Sequence, residues 1–493
     1  MTRKLLMSKL LGEPTRLAVF ISFLLCGVLW QSGFPRPMID DLFFVGAGLN
    51  MANGGELENP WIERQSFSTH EYFVHPPLHS FLIAGWCRLF SVHSQALLAF
   101  QNCLYFVFCL SLIIVLQQFG CPPLFYHLSP IIMIASFLDL GLRPEAAAAA
   151  LMFLGFAALL SARRSEIGTV IGFGVIFLGG SISGRSALFS LALAASPFLR
   201  GFGCSGWFPN RKLFYLSITG AFIAIFTNLC LISFDLPGFL NLFLFHAKHR
   251  ATAFNFASWA TIKLGFAQVP FVFCSFFFFA VSVFSLSNFR FFQFRCAFLL
   301  MTCFVIYGVT GALGHGLFCF VFLLFAMLCS IPQLIHHRKV LLFLSFVAVG
   351  LAPARSLFPL FAASIGKTEA PKINSDAWNQ ISLRLPKHLT LLVDSWTMRY
   401  LFNYTPPNPV HDWSFSSPFP GTIATETPSK PNDCWVIGPV SMRIVNKLFL
   451  SSKRPEEWFP LGSARYALPK NLSDVFVVFP SELDNFKSSE IFK

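Results

Sequence analysis

Long apolar stretches broken by short polar ones fill the first three quarters of the chain, and their lengths predict membrane-spanning helices. Residues 17–34 run eighteen positions without a charge, about 27 Å of helix, close to a hydrocarbon core of roughly 30 Å. Arg3, Lys4, Lys9 and Arg16 precede this stretch and no small-residue cleavage site follows it. It is therefore read as a retained first span with a cytoplasmic N-terminus. A polar loop over 35–75 comes next. Within it, residues 41–52 carry Leu42, Phe43, Val45, Leu49 and Met51 in an amphipathic stretch expected to lie along the membrane interface. Pro76 and Pro77 suit the first turn of a second span ending near Arg88, because a proline there forfeits no helical hydrogen bond.

Further apolar segments follow at 96–118, 124–140, 145–161, 167–182, 186–199, 213–233, 262–287, 296–312, 316–331 and 340–361, giving about 11 to 12 in all. Basic residues mark alternate ends: Arg163-Arg164, Arg200 with Arg211-Lys212, Arg290 with Arg295, and His336-His337-Arg338-Lys339. Those ends are assigned to the cytoplasm. Arg143-Pro144-Glu145, Arg185, the loop from Asp235 to Arg250 and the C-terminal tail then fall outside. Three full crossings between His75 and Arg143 would break this register. Segment 124–140, short and interrupted by Pro130, is expected to be the re-entrant or broken one.

From about residue 364 the character changes: 26 of the 59 charged residues lie in this last stretch, which predicts a water-facing domain. The runs 433–439 and 474–480 each read as a short buried strand between turn residues, while 439–450 has helical spacing. The chain is thus expected to be mainly α: a transmembrane helical bundle over 1–363, with its outer loop at 35–75, and a small α/β soluble domain over 364–493.

Composition agrees, with 55% hydrophobic and only 12% charged residues against roughly 25% charged in soluble domains. A net charge of +13 raises nucleic acid as a partner, but the bases punctuate apolar runs instead of forming one basic face, so none is expected. Of thirteen cysteines only Cys434 lies in the tail, which excludes a disulfide within it. Asn403-Tyr404-Thr405 and Asn471-Leu472-Ser473 fit a glycosylation sequon and are read as chance matches.

Acidic residues gather where chemistry is plausible. Eleven precede the tail, and six of these, Asp40, Asp41, Glu56, Glu58, Glu63 and Glu71, sit in the 35–75 loop. Transfer of a glycosyl group to an alcohol or amine needs a carboxylate to take the acceptor's proton, and an aspartate pair at the head of an interfacial helix is placed for that. The alternative is structural: Asp40 caps the helix that Asp41 begins, both favoured by its dipole. His75 and His79 share a helical spacing, yet two ligands do not make a metal site.

Asp40-Asp41 soon after the first span, a short segment ending in Gly54-Gly55, and His75-Pro76-Pro77-Leu78 opening the next helix together resemble the superfamily of protein O-mannosyltransferases and lipid A aminoarabinose transferases. These are membrane glycosyltransferases of the C-type fold. The resemblance covers about residues 15–165 through motifs and the rest through its hydrophobic profile. It implies a polyprenyl-phosphate sugar donor, a lipid, glycan or protein acceptor, and location in the inner (plasma) membrane. It also implies a catalytic base at Asp40 or Asp41, Asp40 being favoured as the first of the pair. Arg143-Pro144-Glu145 resembles a second polar cluster, Arg143 for phosphate and Glu145, with His75, for ordering the acceptor. Cations near the donor phosphate are expected from Lys248, His249 and Arg250 beside His246, with Arg185 a weaker candidate; bases at such an edge also snorkel without any catalytic role. Such enzymes need no nucleotide sugar and often no metal, and a divalent cation is compatible with the site.

A multispanning transporter or lipid flippase is the rival. Transporters place ionisable residues deep in their spans, whereas 89–138 carries no charge at all. The concentration of acids in one outer loop favours a site at the interface.

Overall fold

A computed structural model describes residues 13–35, 41–59, 76–121, 123–135, 141–162, 165–183, 186–199 and 208–250, scattered positions between 295 and 325, and six strands between 372 and 478. Among these residues ten α-helices lie within 13–250: α1 Glu13–Gln31, α2 Asp41–Ala52, α3 Leu78–Phe90, α4 Ser94–Gln118, α5 Pro123–Ala135, α6 Glu145–Ser161, α7 Glu166–Ile182, α8 Ala187–Ala195, α9 Asn210–Leu231 and α10 Leu236–Arg250. Among the described residues, 14–31, 95–118 and 210–231 are each long and apolar enough to cross a membrane. Phe20, Phe23, Ile171, Phe222 and Phe226 are exposed on the outside of the bundle, the surface a lipid-facing protein presents.

Local sequence sets the ends of the helices. The His93 side chain accepts from the Ala96 N–H at 2.9 Å to start α4, and Gly120, at φ +72°, ends it with Cys121 N–H donating back to the Leu116 carbonyl at 3.0 Å. Only glycine takes that left-handed geometry without a steric penalty. Ser165 caps α7 by accepting from the Gly168 N–H.

Contacts along the helices give their directions. α1 and α4 are antiparallel: Trp30 Nε1 donates to the Gln95 carbonyl at 3.2 Å, Phe23 meets Phe106, and Gln117 donates to Thr15 at the other end. α4 and α6 are parallel, Phe108 meeting Phe153 with centroids 5.0 Å apart and Phe119 meeting Phe156 at 6.1 Å. α6 and α7 are antiparallel and pack backbone on backbone. A Cβ at Gly155 would stand 2.6 Å from Ile176 N, and one at Gly179 would stand 2.8 Å from Met152 N. Ala146 to Ala150 are all buried on this inner side, the small-residue packing that lets helices close up in lipid. α9 runs parallel to α7, with Lys212 paired to Glu166 and Asn228 Nδ2 donating to Ser181 Oγ at 3.0 Å.

The bundle therefore has two ends. One holds the C-terminus of α1, all of α2, the N-termini of α4 and α6, and the junction of α9 with α10. The far end holds Arg16, Arg211, Lys212 and Arg295, whose guanidinium donates to the Leu199 carbonyl at 2.7 Å.

Two expectations change. The helix after Pro76-Pro77 is not a span. His79 of α3 meets the Leu142 carbonyl and Trp86 donates to the Ala96 carbonyl, both at the same end, so α3 lies across that end. Its thirteen residues reach only about 20 Å. Of segment 124–140 the described part is α5, Pro123–Ala135, which carries Pro130 within it; residues 136–140, and with them the expected break or re-entry, lie outside the described residues. Finally, α2 is not half-exposed along an interface; every described side chain from Phe44 to Leu49 is buried. α2 packs on α3, and the absent Cβ of Gly48 leaves room for the Ser80 carbonyl, 2.7 Å from where that atom would stand.

In the C-terminal part six strands, β1 Lys372–Ile373, β2 Thr390–Val393, β3 Val410–Asp412, β4 Asp433–Ile437, β5 Phe459–Arg465 and β6 Leu472–Val478, form one sheet in the order β1-β5-β6-β4-β2-β3. β2 pairs in parallel with β3 and β4, and the other pairings are antiparallel. The two strands expected from sequence are β4 and β6, which pair with each other. The expected helix at 439–450 lies outside the described residues.

Candidate active site

Leu142 is the hub of a polar cluster at the end of the bundle opposite Arg16, Arg211, Lys212 and Arg295. Its N–H donates to Asp41 Oδ1 at 2.8 Å, and its carbonyl lies 3.3 Å from His79 Nε2. A carbonyl only accepts, so that nitrogen carries the proton. The preceding Gly141, at φ +61°, gives the turn its left-handed corner. Four chain segments meet here: the first residue of α2, the first turn of α3, the 141–144 turn and the first residue of α6.

Arg143 and Glu145 follow immediately. Each is 3% exposed, and Arg143 Nε stands 3.5 Å from Glu145 Oε2. The guanidinium also lies over the Phe44 ring, 4.8 Å from its centroid, where the aromatic face favours a cation. Pro144 between them takes the N-cap position of α6 at φ −66°, so Glu145 enters the first turn where the helix dipole favours a carboxylate. A buried charge is costly unless paired and hydrogen-bonded, so this Arg–Glu pair ties the 141–145 segment to one arrangement.

His79 is 3% exposed and its ring lies 6.2 Å from that of Phe100. Burial lowers its pKa to about 4, against the opposing effects of the Leu142 carbonyl and Glu145; the ring is neutral near pH 7. Gln101, on α4, is fully buried, and neither atom of its amide has a hydrogen-bond partner among the described residues. Also among the described residues, no three His, Cys, Asp or Glu side chains converge as metal ligands.

Of the residues singled out from sequence, Asp41, Arg143 and Glu145 come together, although more than a hundred positions separate the first from the others. Asp40, His75 and Arg185 lie outside the described residues. Lys248, His249 and Arg250 occupy the last turn of α10, as residues of a helix that starts where α9 ends at the cluster's end of the bundle; their side chains lie outside the described residues. Sequence reasoning missed His79 as a cluster member, treating it only as half of a histidine pair, and missed Phe44 and Gln101 altogether. A histidine in the first turn of a mainly apolar helix was the available signal.

No protein-family model matches the chain, and no curated protein matches it. Solved structures do. ArnT from Cupriavidus metallidurans bound to undecaprenyl phosphate superposes with a TM-score of 0.53 at 14% identity, covering 96% of this chain and 99% of ArnT. ArnT from the same organism in the apo state gives 0.50 at 14% identity, covering 94% and 98%. The likeness spans nearly the whole of both chains and bears out the expected membrane helical bundle. The chain is a polytopic membrane protein of C-type glycosyltransferase architecture.

Proposed function

We propose that this protein is a membrane glycosyltransferase that takes a sugar from a polyprenyl-phosphate donor and passes it to a lipid, glycan or protein acceptor at the outer face of the plasma membrane. One observation carries this above the rest. Asp41, Arg143 and Glu145, read from sequence as bearers of chemistry, converge at one end of a bundle with ArnT's fold. An ArnT structure holds undecaprenyl phosphate, a polyprenyl phosphate of the class proposed here. The orientation is supported by Arg16, Arg211, Lys212 and Arg295 at the far end, since basic residues mark the cytoplasmic side. The domain over 364–493 is then on the outer face.

The mechanism is a single inverting displacement. The acceptor oxygen or nitrogen attacks the anomeric carbon, its proton passes to a carboxylate, and the bond from that carbon to the phosphate oxygen breaks as the polyprenyl phosphate leaves with the electron pair. Asp40 is the preferred base, because Asp41 already accepts from the Leu142 N–H and is almost fully buried. Lys248, His249 and Arg250 stabilise the charge that grows on the leaving phosphate, the larger part of catalysis in such displacements. Arg143, covered by Phe44 and paired with Glu145, acts on the same charge from within the protein, and His75 and Glu145 order the acceptor's approach.

The test uses the full chain in lipid nanodiscs with a polyprenyl-phosphate donor labelled in its sugar, supplied with membrane extract as acceptor. Label should move to a new product while free polyprenyl phosphate accumulates in equal amount. Movement of intact donor between leaflets of proteoliposomes, with the glycosyl bond unbroken, would instead make the protein a flippase.

A further inference from the structure

Leu142 is held on both sides. The peptide group before its Cα donates to Asp41, and the peptide group after it, shared with Arg143, accepts from His79. Two peptide planes hinge at one Cα, so pinning both removes the freedom of the turn that launches Arg143 and Glu145. Asp41 pins the first from α2 and His79 pins the second from α3, helices that also pack on each other and are joined at their ends by Arg88 donating to the Met51 carbonyl at 2.8 Å.

We infer that His79 is a positioning residue, whose Nε2–H fixes the Leu142–Arg143 peptide and so sets the Arg143–Glu145 pair beside Asp41. The inference rests on the proposed transferase reading and extends it to a side chain that reading does not use. Three observations favour this over space-filling. His79 is buried beside Phe100, where an apolar ring would pack without desolvating a polar group. Its Nδ1 has no hydrogen-bond partner among the described residues, so the imidazole is retained for what Nε2 does. The carbonyl it serves belongs to a residue 2% exposed, beside two charged side chains, where a buried acceptor that loses a hydrogen bond is costly.

Side chains that overlay one ring nitrogen or the other provide the test. The amide of His79→Gln reaches the place of Nε2, whereas that of His79→Asn reaches only the place of Nδ1, and His79→Leu offers neither. In the full chain in nanodiscs, His79→Leu and His79→Asn should raise amide hydrogen exchange across 141–145, as a local opening does. Both should also lower kcat about ten- to a hundredfold, the cost of a misplaced constellation, with KM for the donor unchanged. His79→Gln should restore both readouts. Equal behaviour of the Gln and Asn variants, or unaltered exchange in both Leu and Asn variants, would overturn the role. If the unmodified protein transfers no sugar, the transferase reading fails, and exchange across 141–145 still decides whether His79 holds the turn.

Discussion

Replacing Glu145 by Gln keeps the volume of the side chain and deletes its charge, which leaves Arg143 as a cation with 3% of its surface exposed. At 3.5 Å separation the lost attraction is roughly 5 kcal/mol with an effective dielectric constant of about 20. Measured losses of one partner from buried pairs run at about 3–5 kcal/mol, so Glu145→Gln should destabilise the fold by about that much. The Phe44 ring over the guanidinium returns only about 1–2 kcal/mol of this. Removing both charges, with Arg143→Met and Glu145→Gln together, should cost less than Glu145→Gln alone, because the buried cation goes together with the carboxylate that balances it. Equilibrium unfolding in mixed detergent micelles, followed by tryptophan fluorescence, gives all the free energies of the cycle. A Glu145→Gln loss below about 1 kcal/mol, the range of an exposed pair, would refute the reasoning, as would a double variant whose loss equals the sum of the single ones.

Other consequences are simpler to state. Gly155→Val should destabilise the bundle by about 1–3 kcal/mol or more, since its Cβ would meet Ile176 N at 2.6 Å; the same unfolding assay reads it, and a neutral result would contradict the close α6–α7 packing. Asn102→Ala should cost about 1–3 kcal/mol, because Asn102 Nδ2 donates to the Phe34 carbonyl at 2.8 Å and the acceptor is left without that bond; a loss under a few tenths would count against it. Cysteine placed at Glu56, exposed near the cluster, should react with a membrane-impermeant maleimide in intact cells, whereas cysteine at Asn210, exposed at the far end, should react only after permeabilisation. The reverse pattern would turn the molecule over.

Much of this arrangement is legible in the sequence, and the exceptions share a cause. Charge-free length identifies α1, α4 and α9 as spans, and the scarcity of acids by itself draws attention to Asp41 and Glu145. Hydropathy, however, says that a segment is apolar without saying how it tilts. α3, apolar enough to read as a span, has only thirteen residues and lies across the bundle end. What shows this is the partners of its two ends: His79 and Trp86 of α3 bond to carbonyls at the same end of the bundle. α2 reads as amphipathic from Leu42, Phe43, Val45, Leu49 and Met51, but Asp41 turns inward to an amide 101 positions away. His79 illustrates the same limit: helical spacing suggests His75 as its companion, while its bonded partner is a backbone carbonyl 63 positions on. No local pattern encodes such a pairing, because it depends on how distant segments meet.

The central claim is that a carboxylate of the Asp40-Asp41 pair takes the acceptor's proton at the outer end of this bundle. Its most direct measurement is single-turnover sugar transfer from a polyprenyl-phosphate donor by Asp40→Asn protein in nanodiscs, beside unmodified protein and with donor binding measured on the same samples. The transfer rate should fall about a hundred- to ten-thousandfold, the contribution of a general base, while donor affinity and unfolding midpoint stay within error. A variant that transfers at an undiminished rate would contradict the claim for Asp40, and an undiminished rate in Asp41→Asn as well would contradict it for the pair.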